Sequence, residues 1–196
     1  GLGSKPKLLK KAIESGQITC DHIMFIDAFD VVLGADPAFL LDVAHGFFPE
    51  TKILWNAEKA CFPDANLAQH HKECSSPFRY FNSGASIGST AAYLQALIEM
   101  NAEGIGDDHR LPDGRWICPN DQDNWMKQFL FGSVPMAVDS DCVIFQSMCG
   151  VSAEEIEFTE LGVRNKITGT MPRVFHFNGP AKTAGLREPI LNALSL

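Results

Sequence analysis

The 196-residue sequence sets 24 acidic side chains against 16 basic ones, a formal charge of −8, with 45% hydrophobic and 20% charged residues. These proportions suit a globular chain with a real core and exclude wholesale disorder. No apolar run approaches the roughly 20 residues of a membrane-spanning helix, and the negative balance argues against broad electrostatic capture of nucleic acid. A phosphate-bearing small molecule stays open, because a bound divalent cation reverses the local field.

Residues 1–11 are basic and lack the apolar stretch of a signal peptide. Leu8, Leu9, Ala12 and Ile13 recur at helical spacing, and Gly16 is a natural stop. Residues 22–26 read as a buried strand. Asp36-Pro37 opens the next helix, with the acid as N-cap and proline at the first helical position. Leu40, Leu41 and Ala44 form its inner face and Gly46 is its expected end. A second strand follows at 53–56, and 66–71 reads as a short surface helix. Residues 78–81 predict a strand that breaks at Asn82-Ser83-Gly84 and resumes over 85–88. Ser89 caps a helix over 90–100 built on Leu94, Leu97 and Ile98. The Gly/Pro/Asp-rich stretch 103–119 has no period and is sized like an active-site loop. A helix over 121–129 follows, then short strands at 136–138, 143–146, 155–158 and 173–177. This order predicts an α/β fold, with a mixed, mostly parallel sheet flanked by helices.

The six cysteines, Cys20, Cys61, Cys74, Cys118, Cys142 and Cys149, include no CxxC pair. They fit either free thiols or one or two disulfides in a secretory compartment. His70, His71 and Cys74 are ligand-type residues without a partner at zinc spacing, which favours a surface helix. Trp55, Trp116 and Trp125 are able to stack on a sugar or base, but Trp55, inside a strand, is expected in the core.

Four segments carry candidate chemistry. Asp27 and Asp30 follow directly on the strand 22–26, where open α/β sheets bind ligands. Two acids three residues apart across a tight turn aim at one point, as a hard divalent cation that also holds phosphates requires. A solvated turn is the plainer alternative. His176, at the end of the strand 173–177, precedes Asn178-Gly179-Pro180 and Lys182. An imidazole beside two carboxylates favours Mn²⁺ over Mg²⁺, and Lys182 is suited to neutralising a phosphate; a satisfied histidine beside a turn is the alternative. The ends of these two strands, after Ile26 and after Phe175, are expected to meet at one carboxyl edge of a parallel sheet. Asn82-Ser83-Gly84 offers amide and hydroxyl groups with close backbone approach at the glycine. Asn120-Asp121-Gln122-Asp123 stands at a helix start, where acids also serve capping and the helix dipole.

In this order and spacing the segments resemble the glycosyltransferase domain of the procollagen lysyl hydroxylases. The matching stretches run from Gly3-Ser4-Lys5-Pro6-Lys7, through 25–33, Asn56-Ala57-Glu58, Cys61-Phe62-Pro63, Phe81-Asn82-Ser83-Gly84 and Asn120-Asp121-Gln122. They continue with Ile144-Phe145-Gln146 and end with His176-Phe177-Asn178-Gly179-Pro180-Ala181-Lys182. The resemblance implies a GT-A-like fold as a single domain over 1–196, lacking its first strand and helix, with 183–196 as a tail or helix. It implies a Mn²⁺ (or Mg²⁺) ion on Asp27, Asp30 and His176 that holds the diphosphate of a UDP-sugar. Phe29 would then help hold the uridine, while Asn178, Gly179 and Lys182 lie by the diphosphate. Asn120 and Asp121 map to an acidic stretch needed for transfer, with Asp121 orienting the acceptor or sugar and Asn82 binding the sugar hydroxyls. The implied reaction moves a hexose, glucose or galactose, to a hydroxyl acceptor on a glycan or a hydroxylysine-containing protein. Glucosyl transfer to galactosyl-hydroxylysine with retention is the form it takes in that family. The implied location is the secretory pathway, in the endoplasmic reticulum lumen, or outside the cell. The implied partners include no nucleic acid, and the chain itself supplies no membrane segment.

Two further readings stay open. Asn120 replaces an aspartate of the family and Phe62 a tryptophan, which suits a non-catalytic relative serving as a binding module. A metal-dependent phosphoester hydrolase using Asp27 and Asp30 is the other.

Overall fold

The computed structural model describes residues 3–106, 120–181 and 185–194 in full, and the backbone of 109, 110, 116, 117, 182 and 183. Helix α1 (Ser4–Glu14) leads to strand β1 (His22–Ile26), and a turn returns the chain as β2 (Val31–Leu33). Helix α2 (Pro37–Phe47), β3 (Ile53–Glu58), a 3-10 turn (Ala65–His70), β4 (Tyr80–Ser89) and α3 (Thr90–Glu99) follow. Next come the two-residue strands β5 (His109–Arg110) and β6 (Trp116–Ile117), then α4 (Asp121–Phe131), β7 (Met136–Val138) and β8 (Phe145–Ser147). The chain ends in β9 (Ile156–Thr159), β10 (Gly162–Asn165), β11 (Val174–His176) and α5 (Arg187–Leu194).

The helix starts obey local capping chemistry. The Asp36 carboxylate accepts from the Ala38 N–H at 2.7 Å, Ser89 from Ala92 at 3.3 Å and Asn120 from Gln122 at 2.9 Å. Gly16 follows α1 at φ +71°, a left-handed position that favours glycine.

Strand β3 shows how the layers form. All six of its residues are buried, and successive side chains point to opposite faces. Ile53 and Trp55 join a core built with Tyr93, Ala96 and Leu97 of α3, Trp125 and Met126 of α4, and Leu9 and Ile13 of α1. Leu54 faces the other way, into a core with Leu40 and Ala44 of α2, Ala85, Ile87, Ile144, Phe145 and Val174. The ring centroids of Trp55 and Trp125 lie 4.8 Å apart, so both are core residues, as expected for Trp55. A third core, of Val32, Phe175, Phe177, Ile156, Val163 and Ile190, seats α5.

The α/β fold of a GT-A-like domain, with helices flanking mixed sheets, is present. Its strand directions differ from the expected parallel majority. One sheet runs β1-β4-β3-β7 and a second β2-β11-β8. Among the described strands only β3–β7 and β11–β8 pair parallel; β1–β4, β3–β4, β11–β2, β10–β9 and β5–β6 are antiparallel. The reason lies in β4. The segment Asn82-Ser83-Gly84 does not end the strand, so one ten-residue β4 runs antiparallel between β1 and β3. The irregularity there is a bulge: the register steps from Trp55↔Ser86 to Asn56↔Asn82, leaving 83–85 without β3 partners.

Other differences are local. The inner face of α3 is Tyr93, Ala96 and Leu97, while Ile98 is exposed. Strands β2 and β10 were not expected, being short and set within turns. Most of the predicted loop 103–119 and the side chain of Trp116 lie outside the described residues. The five described cysteines, Cys20, Cys61, Cys74, Cys142 and Cys149, are free; Cys118 lies outside the described residues. His71 is structural: its Nε2 accepts from the Phe81 N–H and its Nδ1 faces the Leu67 carbonyl, both at 3.2 Å. No described helix is long and apolar enough to cross a membrane.

Candidate metal centre

Two strand pairings build the centre. β2 and β11 run antiparallel with His176 opposite Val31, and the Phe177 N–H donates to the Asp30 carbonyl at 2.7 Å. That register sets Asp30 beside His176. Asp27, one residue past β1, is tied to the other sheet, its N–H donating to the Gly84 carbonyl at 2.9 Å. The site therefore sits at the junction of two sheets rather than along one parallel edge. The turn 28–30 spans the gap, and Phe29 at its crest is 87% exposed.

Nε2 of His176 lies 3.7 Å from Asp27 Oδ2 and 3.6 Å from Asp30 Oδ1. His176 is 4% exposed, and this nitrogen is buried without a hydrogen-bond partner. Its other nitrogen, Nδ1, is 2.9 Å from Asn82 Oδ1, an oxygen that also accepts from Asn56 Nδ2 at 3.1 Å and the Gly84 N–H at 3.0 Å. An oxygen can only accept, so Nδ1 carries a proton, and in the neutral imidazole this tautomer turns the lone pair of Nε2 toward the two carboxylates. Two carboxylate oxygens and one imidazole nitrogen fall within 4.8 Å of one another. Ligands about 2.1 Å from a shared ion stand some 3 to 4 Å apart. The residues fit a divalent cation, and the orphaned nitrogen is what such an ion satisfies.

A cavity of about 370 Å³ opens beside these three side chains. Its walls include Asp121, Gln122, Glu58, Asn178, Gly179 and Lys5. Asp121, 3% exposed, sits in the first turn of α4, and burial pushes its carboxyl up, opposed by the Lys5 ammonium. Lys5, from the first turn of α1, lies 2.5 Å from Asp27 Oδ1 and 3.2 Å from Asp121 Oδ2. Gln122 is a hub: its Nε2 donates to Glu58 Oε1 at 2.7 Å and the Phe62 carbonyl at 2.8 Å, while its Oε1 accepts from the Ser83 N–H at 3.2 Å. Burial raises the Glu58 carboxyl as well, against amide donors that include Gln122 and Asn178.

The sequence-derived residues therefore divide. Asp27, Asp30 and His176 converge, with Asp121, Asn178 and Gly179 on the same cavity. Asn82 lines it too, but its carboxamide oxygen is taken up by His176, Asn56 and Gly84, which makes it a positioning group for the imidazole. Asn178 is likewise engaged, donating to Glu58 Oε2 at 3.0 Å and accepting from Ser147 Oγ at 2.9 Å. The backbone of Lys182 falls in the 3-10 turn Gly179–Thr183, and its side chain lies outside the described residues. Glu58, Gln122 and Lys5 were missed as site residues. The usable signal for Glu58 was a carboxylate closing a strand whose one other polar side chain is Asn56; for Lys5, one basic residue among several on α1, spacing gave none.

A family model described as "PLOD GT domain" matches residues 1–194. The chain is 29% identical over 188 residues to the human "Multifunctional procollagen lysine hydroxylase and glycosyltransferase LH3", covering 93% of this chain and 24% of that protein. It is 30% identical over 188 residues to the Caenorhabditis elegans "Multifunctional procollagen lysine hydroxylase and glycosyltransferase" and 31% over 190 to the mouse "Procollagen-lysine,2-oxoglutarate 5-dioxygenase 1". In each case 93% of this chain and 24% of the relative are covered, so the chain spans about a quarter of the length of these relatives.

Proposed function

The chain belongs to the PLOD GT domain family, and from that premise we propose that it transfers a hexose from a UDP-sugar to a hydroxyl acceptor with the help of Mn²⁺ or Mg²⁺. The donor sugar is glucose or galactose, and the acceptor hydroxyl belongs to a glycan or to a hydroxylysine-containing protein, galactosyl-hydroxylysine in the collagen-like case. The convergence of Asp27, Asp30 and the unpartnered Nε2 of His176 on the wall of one cavity supports this reading most directly.

A divalent cation bound there supplies Lewis-acid stabilisation of the departing diphosphate. The protein's part is positioning. Asn82 fixes the tautomer and plane of His176. Phe29, exposed on its turn, offers an apolar face to the uracil ring. The left-handed Gly179, at φ +57°, turns the chain beside the cavity, where backbone approaches the diphosphate; the family resemblance assigns Lys182 to the same diphosphate. Asp121, buried in the wall of the same cavity, orients the acceptor hydroxyl or the sugar.

The reading is tested by titrating Mn²⁺ with and without UDP, then assaying a panel of UDP-sugars for transfer. Asp27→Ala and Asp30→Ala should each abolish metal-dependent UDP binding while the chain stays folded. UDP binding without any turnover would make the domain a binding module. Phosphate release from a phosphoester in the absence of an acceptor would make it a hydrolase.

Asp121 gives a separate expectation. Asp121→Asn should lower kcat by about a hundredfold or more, yet leave Mn²⁺-dependent UDP affinity almost unchanged, because the lost interaction belongs to the transition state. A matching loss of UDP affinity would place Asp121 in the nucleotide site instead.

A further inference from the structure

The cavity beside the metal centre is rich in carboxylates. Asp27, Asp30, Glu58 and Asp121 all line it, and Lys5 is the one permanently cationic side chain among its described walls. Its ammonium is shared between two acids, 2.5 Å from Asp27 Oδ1 and 3.2 Å from Asp121 Oδ2, with the Lys5 side chain 25% exposed. Asp27 is thus divided: Oδ1 faces the ammonium, while Oδ2 faces Nε2 of His176 at 3.7 Å. An ion held on Oδ2 lies one carboxylate away from a fixed positive charge, and the two repel. A nucleoside diphosphate reverses that sign. UDP carries about three negative charges near neutral pH, so its complex with a divalent cation is an anion, which the same ammonium attracts.

We propose that Lys5 makes cation capture depend on the nucleotide: it weakens binding of the bare ion and strengthens binding of the ion–diphosphate pair. The inference rests on the proposed function of this centre and deepens it. By linkage, whatever Lys5 adds to the effect of UDP on the metal it adds equally to the effect of the metal on UDP. The position of Lys5 is not left to a mobile side chain alone. It stands on the first turn of α1, a helix anchored in the main core by Leu9 and Ile13, and the following Pro6 is buried.

The experiment is a titration of free Mn²⁺ by its electron paramagnetic resonance signal, with and without saturating UDP, on the unaltered chain, Lys5→Met and Lys5→Arg. Lys5→Met keeps the length and apolar stem of the side chain and removes the charge. It should bind Mn²⁺ alone more tightly and Mn²⁺ with UDP more weakly, so that the tightening produced by UDP shrinks by about tenfold or more. Lys5→Arg keeps the charge and should preserve most of that tightening, which separates the role from mere packing. Both affinities of Lys5→Met shifting in the same direction, or an unchanged effect of UDP, overturns the inference. Failure of the unaltered chain to bind Mn²⁺ even with UDP overturns the reading of the centre itself, a different result. An unfolded Lys5→Met would leave Lys5→Arg and Lys5→Gln to decide, and a Lys5→Gln with an intact effect of UDP counts against the inference.

Discussion

Replacing Gly84 with alanine is expected to abolish Mn²⁺-dependent UDP binding in a chain that still folds. A Cβ at this position would stand 1.9 Å from Cε1 of His176 and 2.3 Å from its Nδ1, far inside the roughly 3.5 Å at which non-bonded carbons meet. The backbone cannot easily yield, because the Gly84 N–H donates to Asn82 Oδ1 at 3.0 Å and its carbonyl accepts from Asp27 at 2.9 Å. The imidazole must move instead. Its Nδ1 then loses Asn82 and its Nε2 leaves the two carboxylates. Disturbing a ligand's supporting hydrogen bond alone costs about 10- to 100-fold in metal affinity, and displacing the ligand costs more. Calorimetry of Mn²⁺ and UDP on Gly84→Ala reads the loss directly. Thermal unfolding adds the control: the substitution should destabilise the unaltered chain but cost little in a His176→Ala background, where the ring it strikes is gone. An equal cost in both backgrounds would assign Gly84 to the β4 backbone rather than to the histidine.

That dependence also shows what a sequence conveys and what it hides. The helices were legible because their signals are local. Asp36-Pro37 and Ser89 are caps that act within three residues, and each is where the spacing placed it; the helix start at Asp121 was legible too, although its cap is Asn120 rather than one of the acids. Asp27, Asp30 and His176 were legible as ligand types at strand ends, and close approach at Gly84 as a property of glycine. The element that approaches was not, because the His176 ring comes from 92 residues further along and from another sheet. The parallel majority failed for a related reason. Asn82-Ser83-Gly84 carries the signature of a break, and only pairing with both β1 and β3 holds it as a bulged strand. Short elements such as β2, whose three residues follow directly on the turn, owe their form to β11 rather than to their own pattern. Lys5 and Gln122 acquire their roles from groups 22 to 116 residues away in the case of Lys5, and as far as Glu58 in the case of Gln122. Periodicity does not reach that far.

Asp139 carries the largest expected effect on stability. It follows β7, it is fully buried, and its carboxylate accepts from three successive backbone N–H groups, Val143 at 2.9 Å, Ile144 at 2.7 Å and Phe145 at 2.9 Å. It thereby fixes the turn that starts β8, the parallel neighbour of the histidine-bearing β11. Asp139→Ala strands these donors in the core and should cost about 3 kcal/mol or more at neutral pH. Burial pushes the carboxyl up to about 6, against the pull of the three N–H groups. The folded state therefore holds its proton more tightly than the unfolded chain, whose aspartates titrate near 3.9. Stability from this group is fully present below about pH 4 and is lost as the pH rises through about 6, a change of about 3 kcal/mol. Urea unfolding between pH 4 and 7.5 should show that fall in the unaltered chain. In Asp139→Asn, which keeps an acceptor oxygen but cannot titrate, this contribution should vanish and the profile flatten. An Asn variant with the same slope would mean that other groups set the pH dependence, and that Asp139 is ionised throughout because its three donors outweigh its burial.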